Sequence, residues 1–217
     1  MALRLGPLCR ELVVIGGAVV DLLITDPGSA SARPTLDVDV TCELHSTIEY
    51  YTLGDRLQKL GFNPAPNEPN ICTWVGYGIR LDVLPSDPNV LGFSNPWYTS
   101  AIRNSQTVSL PSGAEIRIID ASHFVATKLV ALADRGNRDI VISHDFEDIV
   151  LVLNGRSELL AEVGVAGEVK EFISSEFRIL LSNRDIDEAI EGALAKNRDS
   201  RQRATAVRHL MEQISDL

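Results

Sequence analysis

Arg33-Pro34-Thr35-Leu36-Asp37-Val38-Asp39-Val40 decides the reading of this chain. Acids alternate with apolar residues over it, which is the pattern of a strand whose side chains leave on opposite faces with a period of two. Asp37 and Asp39 project together, while Leu36, Val38 and Val40 point into a core. Two adjacent carboxylates resist joint ionisation. A divalent cation removes that cost, and Mg²⁺ takes carboxylate oxygens together with substrate phosphates, so the pair reads as a metal–nucleotide site.

Upstream, Leu12 to Ile15 form a buried strand, and Gly16-Gly17 turn the chain into a short helix, Ala18 to Ile24. A small, polar loop from Asp26 through Ala32 leads back to the acidic strand, which spans Leu36 to Cys42. Downstream, Thr47 to Leu60 have helical spacing, with Ser46 as N-cap and Gly61 as the stop. Asn63 to Asn70 are proline-rich and make a loop. Ile71 to Val75 and Ile79 to Leu84 pair as a hairpin about Gly76-Tyr77-Gly78. The second of these strands places Asp82 among apolar residues. Pro85 to Pro96 form a loop, and a further hairpin brackets Pro111-Ser112-Gly113.

From Ser122 the period becomes helical, with Phe124, Val125, Lys128, Leu129 and Leu132 on one side and Gly136 ending the segment. Ser143 caps the next helix, and three or four more cover roughly residues 158 to 216. The fold class expected is α/β (α+β), a mixed sheet core with flanking helices followed by a helical C-terminal domain. The two parts are residues 1–120 and 121–217.

The 217 residues carry 20 Lys+Arg against 30 Asp+Glu, a net charge of −10. A protein that grips nucleic acid through its phosphates presents a basic face. The charge therefore argues against tight nonspecific nucleic-acid binding. A local patch of Arg198, Arg201, Arg203 and Arg208 would be the exception to look for. No apolar run reaches the ~18 residues of a membrane span, and the first ten residues show no signal-peptide pattern. A cytoplasmic location without membrane attachment is expected. Cys9, Cys42 and Cys72 form no C-x-x-C pair and read as buried structural thiols rather than a disulfide framework or zinc site.

The ordered set "GGAVVDLL", "RPTLDVDV", "RLDVL", "HFVATKLVALADRG" and "SHDFEDIVLVL" resembles the nucleotidyltransferase superfamily of polymerase-β type, and within it the AbiEii/AbiGii-type enzymes, many of them toxins of toxin–antitoxin pairs. The likeness covers most of residues 12 to 154. It implies a nucleotidyltransferase that moves an NMP from an NTP to a hydroxyl with two Mg²⁺. Asp37, Asp39 and Asp82 would be the catalytic metal ligands. Gly16 and Gly17 would let backbone amides approach the triphosphate, and Lys128 would reach the nucleotide phosphates. Asp145 or Asp148 would lie beside the nucleotide, and Arg33 and Thr35 would orient the Asp-x-Asp strand or a phosphate. The helical domain would complete the nucleotide and acceptor cleft. The superfamily often has Gly-Ser where this chain has Gly16-Gly17, so a serine contact to phosphate is missing. The acceptor would be RNA such as tRNA, or a small molecule or protein, and a toxin role would imply an antitoxin partner. The alternative is a noncatalytic nucleotide sensor or partner-binding module on the same fold.

Overall fold

A computed structural model describes residues 1–29, 31–35, 37–66, 71–135, 139–194 and 199–217. The strands are β1 Val13–Ile15, β2 Asp37–Cys42, β3 Asn63–Pro64, β4 Thr73–Gly76, β5 Ile79–Pro85, β6 Gln106–Ser109 and β7 Glu115–Ile118. The helices through the first half are α1 Ala2–Leu5, α2 Val20–Leu23, α3 Thr47–Lys59, α4 Pro88–Leu91 and α5 Tyr98–Arg103. Those that follow are α6 Ala121–Arg135, α7 His144–Gly155, α8 Leu159–Gly164, α9 Glu168–Leu181, α10 Ile186–Ala193 and α11 Ser200–Ser215. The mixed sheet with flanking helices and a helical C-terminal part, expected from the sequence, is what the structure shows.

The chain divides into two compact units, residues 1–19 with 34–120, and residues 20–33 with 121–217. The first unit holds the sheet, in the order β3-β4-β5-β2-β1-β7-β6. β2 runs parallel to β5 and β1 parallel to β7, and the other neighbours are antiparallel. Alternation sorts the side chains cleanly. Val14, Val40, Trp74, Leu81, Val83 and Ile118 share one face and are all buried. Helix α3 packs there, because Gly54 leaves room for the Trp74 ring, which a Cβ at that position would meet at 2.8 Å. Ser46 caps α3 by accepting from the Glu49 amide. The opposite face carries Asp37, Asp39, Thr41, Thr73, Arg80, Asp82 and Arg117. Arg117 holds α5 to it by donating to the Ile102 carbonyl at 2.7 Å.

The second unit is helical. Phe124, Leu129, Ile149, Phe177 and Met211 are fully or nearly fully buried in it. Residues 20–33 belong to it because the Gly155 carbonyl, at the end of α7, accepts from the amides of Thr25 and Asp26 at 2.8 and 2.9 Å. A Cβ on Gly155 would press on the Ile24 side chain at 2.8 Å. Arg156 adds a fork on Glu162, at 2.6 Å from both nitrogens, and a bond to the Leu23 carbonyl.

Several local expectations change. The helix expected from Ala18 is a 3-10 turn over Gly16–Val19 followed by one α turn in α2. Asn63–Pro64, expected as loop, pairs with β4 as a short edge strand, where a proline is tolerated because one side of the strand needs no partner. The Pro85 to Pro96 loop contains α4, capped by Asp87, whose side chain accepts from the Asn89 amide. Leu36, Gly136 and Arg198 lie outside the described residues. No helix among the described residues is long and apolar enough to cross a membrane. All three cysteines are buried and free.

Candidate active site

The sheet register brings Asp39 and Asp82 side by side. Asp39 on β2 pairs with Asp82 on the parallel neighbour β5, and Asp37 pairs with Arg80. Paired residues of adjacent strands project from the same face, so Asp37, Asp39 and Asp82 share one side of the sheet. Asp37, where β2 begins, is exposed, whereas Asp39 and Asp82 are half-buried.

Gly16 closes the site from the side of β1, where Ile15 pairs with Asp39. Its φ is +67°, a left-handed conformation that glycine adopts without strain. A Cβ there would land on Oδ2 of Asp39 and sit 3.1 Å from its Cγ. Two independent requirements therefore fix a glycine at this position. Gly17, beside it, lies in the 3-10 turn and is half-buried.

Thr35 braces the start of β2: its Oγ1 accepts from the Asp37 amide and donates to the Asp37 carbonyl, both at 3.1 Å. Asp21 also steadies this return of the chain, its Oδ1 accepting from the Ala32 amide at 2.7 Å.

The two oxygens of the Asp82 carboxylate differ in their surroundings. One oxygen, Oδ2, lies 3.4 Å from the Arg80 Nε. The other, Oδ1, is buried without a hydrogen-bond partner. Leaving a buried acceptor unsatisfied costs about 1–3 kcal/mol, and more when it is charged. Its field reaches the Cys72 thiol, which burial first and then the Asp82 charge push above its ordinary pKa. Among the described residues no group of three or more His, Cys, Asp or Glu side chains is gathered so as to hold a metal ion. Two hard carboxylates, one with an open buried oxygen, still match what Mg²⁺ uses, since it commonly takes one or two carboxylates and completes its shell with waters and substrate phosphates.

The second unit contains another charged constellation. Lys128 of α6 donates to Asp145 Oδ1 at 2.8 Å and pairs with Asp148 Oδ2 at 2.6 Å. All three side chains are nearly buried, with exposures of 11%, 11% and 1% in the order Lys128, Asp145, Asp148. Burial alone would push the Lys128 ammonium down, but the carboxylates of Asp148 and Asp145 outweigh it and its pKa is raised. Both acids sit at the start of α7, whose N-cap Ser143 accepts from the Phe146 amide. Their place there is also favoured by the helix dipole. The sequence left the choice between Asp145 and Asp148 open; the lysine engages both. Arg33 belongs to this unit and lies 4.0 Å from Glu147, while His144, exposed, contacts Glu147 at 3.1 Å.

Gly16, Asp37, Asp39, Asp82 and Thr35 thus fall in the first unit, and Arg33, Lys128, Asp145 and Asp148 in the second. Arg80 and Thr73 were missed in the sequence, although Arg80 stands two residues before Asp82 and so on its face. Two of the arginines on α11 are engaged within the chain. Arg203 donates to the Gly28 carbonyl at 2.9 Å, and Arg208 pairs with Asp187 at 2.8 Å and Glu212 at 3.2 Å.

No protein-family model matches the sequence, and no curated protein does. Among solved structures the chain is similar to the antibiotic-resistance factor ANT(2'')-Ia, whose solution structure is described as revealing substrate-regulated conformation dynamics. The identity is 13% and the TM-score 0.46, over 78% of this chain and 82% of that one. At that level the reading of the site rests on the geometry of this chain alone.

Proposed function

We propose that the protein is a metal-dependent nucleotidyltransferase that moves an NMP from an NTP to a hydroxyl acceptor. The observation that carries this reading is the in-register pair Asp39 and Asp82, packed beside Gly16, with Oδ1 of Asp82 buried and open. Asp39 and Asp82 would hold Mg²⁺, and Asp37, exposed opposite Arg80, is the ligand available for a second ion. When bound, Mg²⁺ supplies neutralisation of phosphate charge and polarisation of the α-phosphoryl group. The acceptor oxygen forms a bond to the α-phosphorus as the bond to pyrophosphate breaks, and the hydroxyl proton passes to a carboxylate of the acid face. Little covalent chemistry is asked of the side chains, so positioning carries the rate. Lys128, in this reading, contacts nucleotide phosphate and must share its charge with Asp145 and Asp148 to do so.

The net charge of −10, with Arg203 and Arg208 already engaged within the chain, favours a small-molecule acceptor over RNA. A toxin role with an antitoxin partner, and a cytoplasmic location, rest on the resemblance and composition alone. The test is transfer of label from α-labelled NTPs in Mg²⁺ to small hydroxyl compounds and to tRNA, beside Asp39→Asn and Asp82→Asn. Label moved only by the intact acids supports the proposal and reveals the acceptor class. Metal-dependent NTP binding without transfer to any acceptor would favour the sensor instead, and no NTP binding would end both readings.

A further inference from the structure

Arg80 completes a two-by-two array on the acid face. Along β5 it is followed by Asp82, along β2 Asp37 is followed by Asp39, and the register sets Asp37 against Arg80 and Asp39 against Asp82. Three corners are carboxylates and the fourth is a guanidinium. Such a face needs a counter-charge when no metal is bound, because clustered like charges oppose one another.

Two of the contacts of the guanidinium are long ones. Its Nε is 3.4 Å from Asp82 Oδ2, long beside the ~2.7–2.9 Å of a charge-assisted bond. Its Nη2 donates to Thr73 Oγ1 on β4 at 3.3 Å, and a third of the side chain is exposed. Thr73 is buried and pairs with Asp82 across β4 and β5. The hydroxyl therefore anchors the guanidinium to one side of the acid. Asp82 is drawn to Arg80 through Oδ2 while Oδ1 stays buried and unpartnered.

We infer that Arg80 is a positioning residue: it is the built-in counter-ion of the acid face, orients Asp82 through Oδ2, and competes electrostatically with the divalent cation for that face. The inference rests on the nucleotidyltransferase reading and adds to it a residue that sets metal affinity. Its positive charge lowers the affinity of the site for metal, and in exchange it keeps the metal-free acids in place.

The test is Mn²⁺ binding to the whole chain, with MnCl₂ as the only ligand, followed by electron paramagnetic resonance. Wild type, Arg80→Gln, Arg80→Lys and Asp39→Asn/Asp82→Asn are compared, with a thermal melt of each with and without Mn²⁺. Removing a unit charge this close to the ion should tighten Mn²⁺ binding about tenfold in Arg80→Gln. Arg80→Lys, which keeps the charge, should stay within about twofold of wild type. Mn²⁺ should raise the melting temperature more in Arg80→Gln than in wild type. An arginine that serves structure alone would lower both melts equally and leave affinity unchanged or weaker, and that result overturns the inference while the metal site stands. An Arg80→Gln chain that saturating Mn²⁺ does not refold overturns it as well. No difference in Mn²⁺ binding between wild type and the double Asp variant overturns the metal reading itself, and this inference with it.

Discussion

Replacing Lys128 by methionine keeps the side-chain volume and removes only the ammonium. That leaves Asp145 and Asp148, which share the ammonium at 2.8 and 2.6 Å, facing each other nearly buried. Breaking a buried ion pair by deleting one partner costs about 3–5 kcal/mol, because the remaining charge is uncompensated. Here two charges remain, so Lys128→Met should lose at least about 3 kcal/mol in urea unfolding followed by circular dichroism. At ~2–4 °C per kcal/mol for a chain of this size, the melting temperature should fall by about 6–20 °C. Adding Asp148→Asn should return part of the loss, since one orphaned charge goes with it. The pH dependence has a definite sign. The Lys128 pKa is raised in the folded chain, so its stabilisation is complete below the ordinary lysine value of ~10.4 and is lost as pH rises through the higher native value. The gap between wild type and variant should stay constant through neutral pH and close only in strong alkali. A loss below about 1 kcal/mol, the size of an exposed pair, would refute this account of the trio.

Gly16→Ala must fit a Cβ both at φ +67° and onto the Asp39 carboxylate, so it should cost roughly 1–3 kcal/mol and abolish NTP-dependent label transfer even at temperatures where the chain stays folded. Thr35→Val removes both bonds to the Asp37 backbone and should cost about 1 kcal/mol in denaturant unfolding. Gly54→Ala should destabilise by about 1–3 kcal/mol through overpacking against the Trp74 ring, with transfer activity unchanged below the melt. Burial, with a smaller effect from Glu11, pushes the Cys42 thiol up to about 12, and Cys9 and Cys72 are raised too, chiefly by burial. A disulfide reagent at about pH 8 should therefore find no fast thiol in the native chain and release all three in denaturant.

The parts of this fold legible in the sequence are those written in local periods. Ser46, Ser143 and the alternation of β2 announce themselves within a few residues, because caps and pleats are short-range effects. Helix α5 and the edge strand β3 were not legible: α5 has no N-cap side chain bond, and β3 exists only because β4 passes beside it. Propensity over two residues says nothing about such pairing. The site shows the same division. That Asp37 and Asp39 share a face follows from the period of two, whereas the choice of Asp82 as neighbour of Asp39, rather than of Asp37, is a matter of register between strands far apart in sequence.

That register also explains why the acid face holds together as a chemical unit. A slip of one residue would turn Asp39 and Asp37 into the face now filled by Val40, Leu81 and Val83, all fully buried, and charged side chains there would face apolar neighbours at a cost of several kcal/mol each. The same hydrophobic alternation that builds the core thus fixes the acids opposite one another, and Gly16 is the residue that lets them stay. Because its Cβ position is occupied by Asp39 Oδ2, the carboxylate can lean over β1, on the side of β2 opposite β5. The acids are then set by the sheet and the glycine without help from a bound ion, and Asp39→Asn, which keeps the shape but not the charge, should melt within about 1 kcal/mol of wild type while binding no Mn²⁺. A large loss of stability in Asp39→Asn would mean that the carboxylate serves the fold first and the metal second.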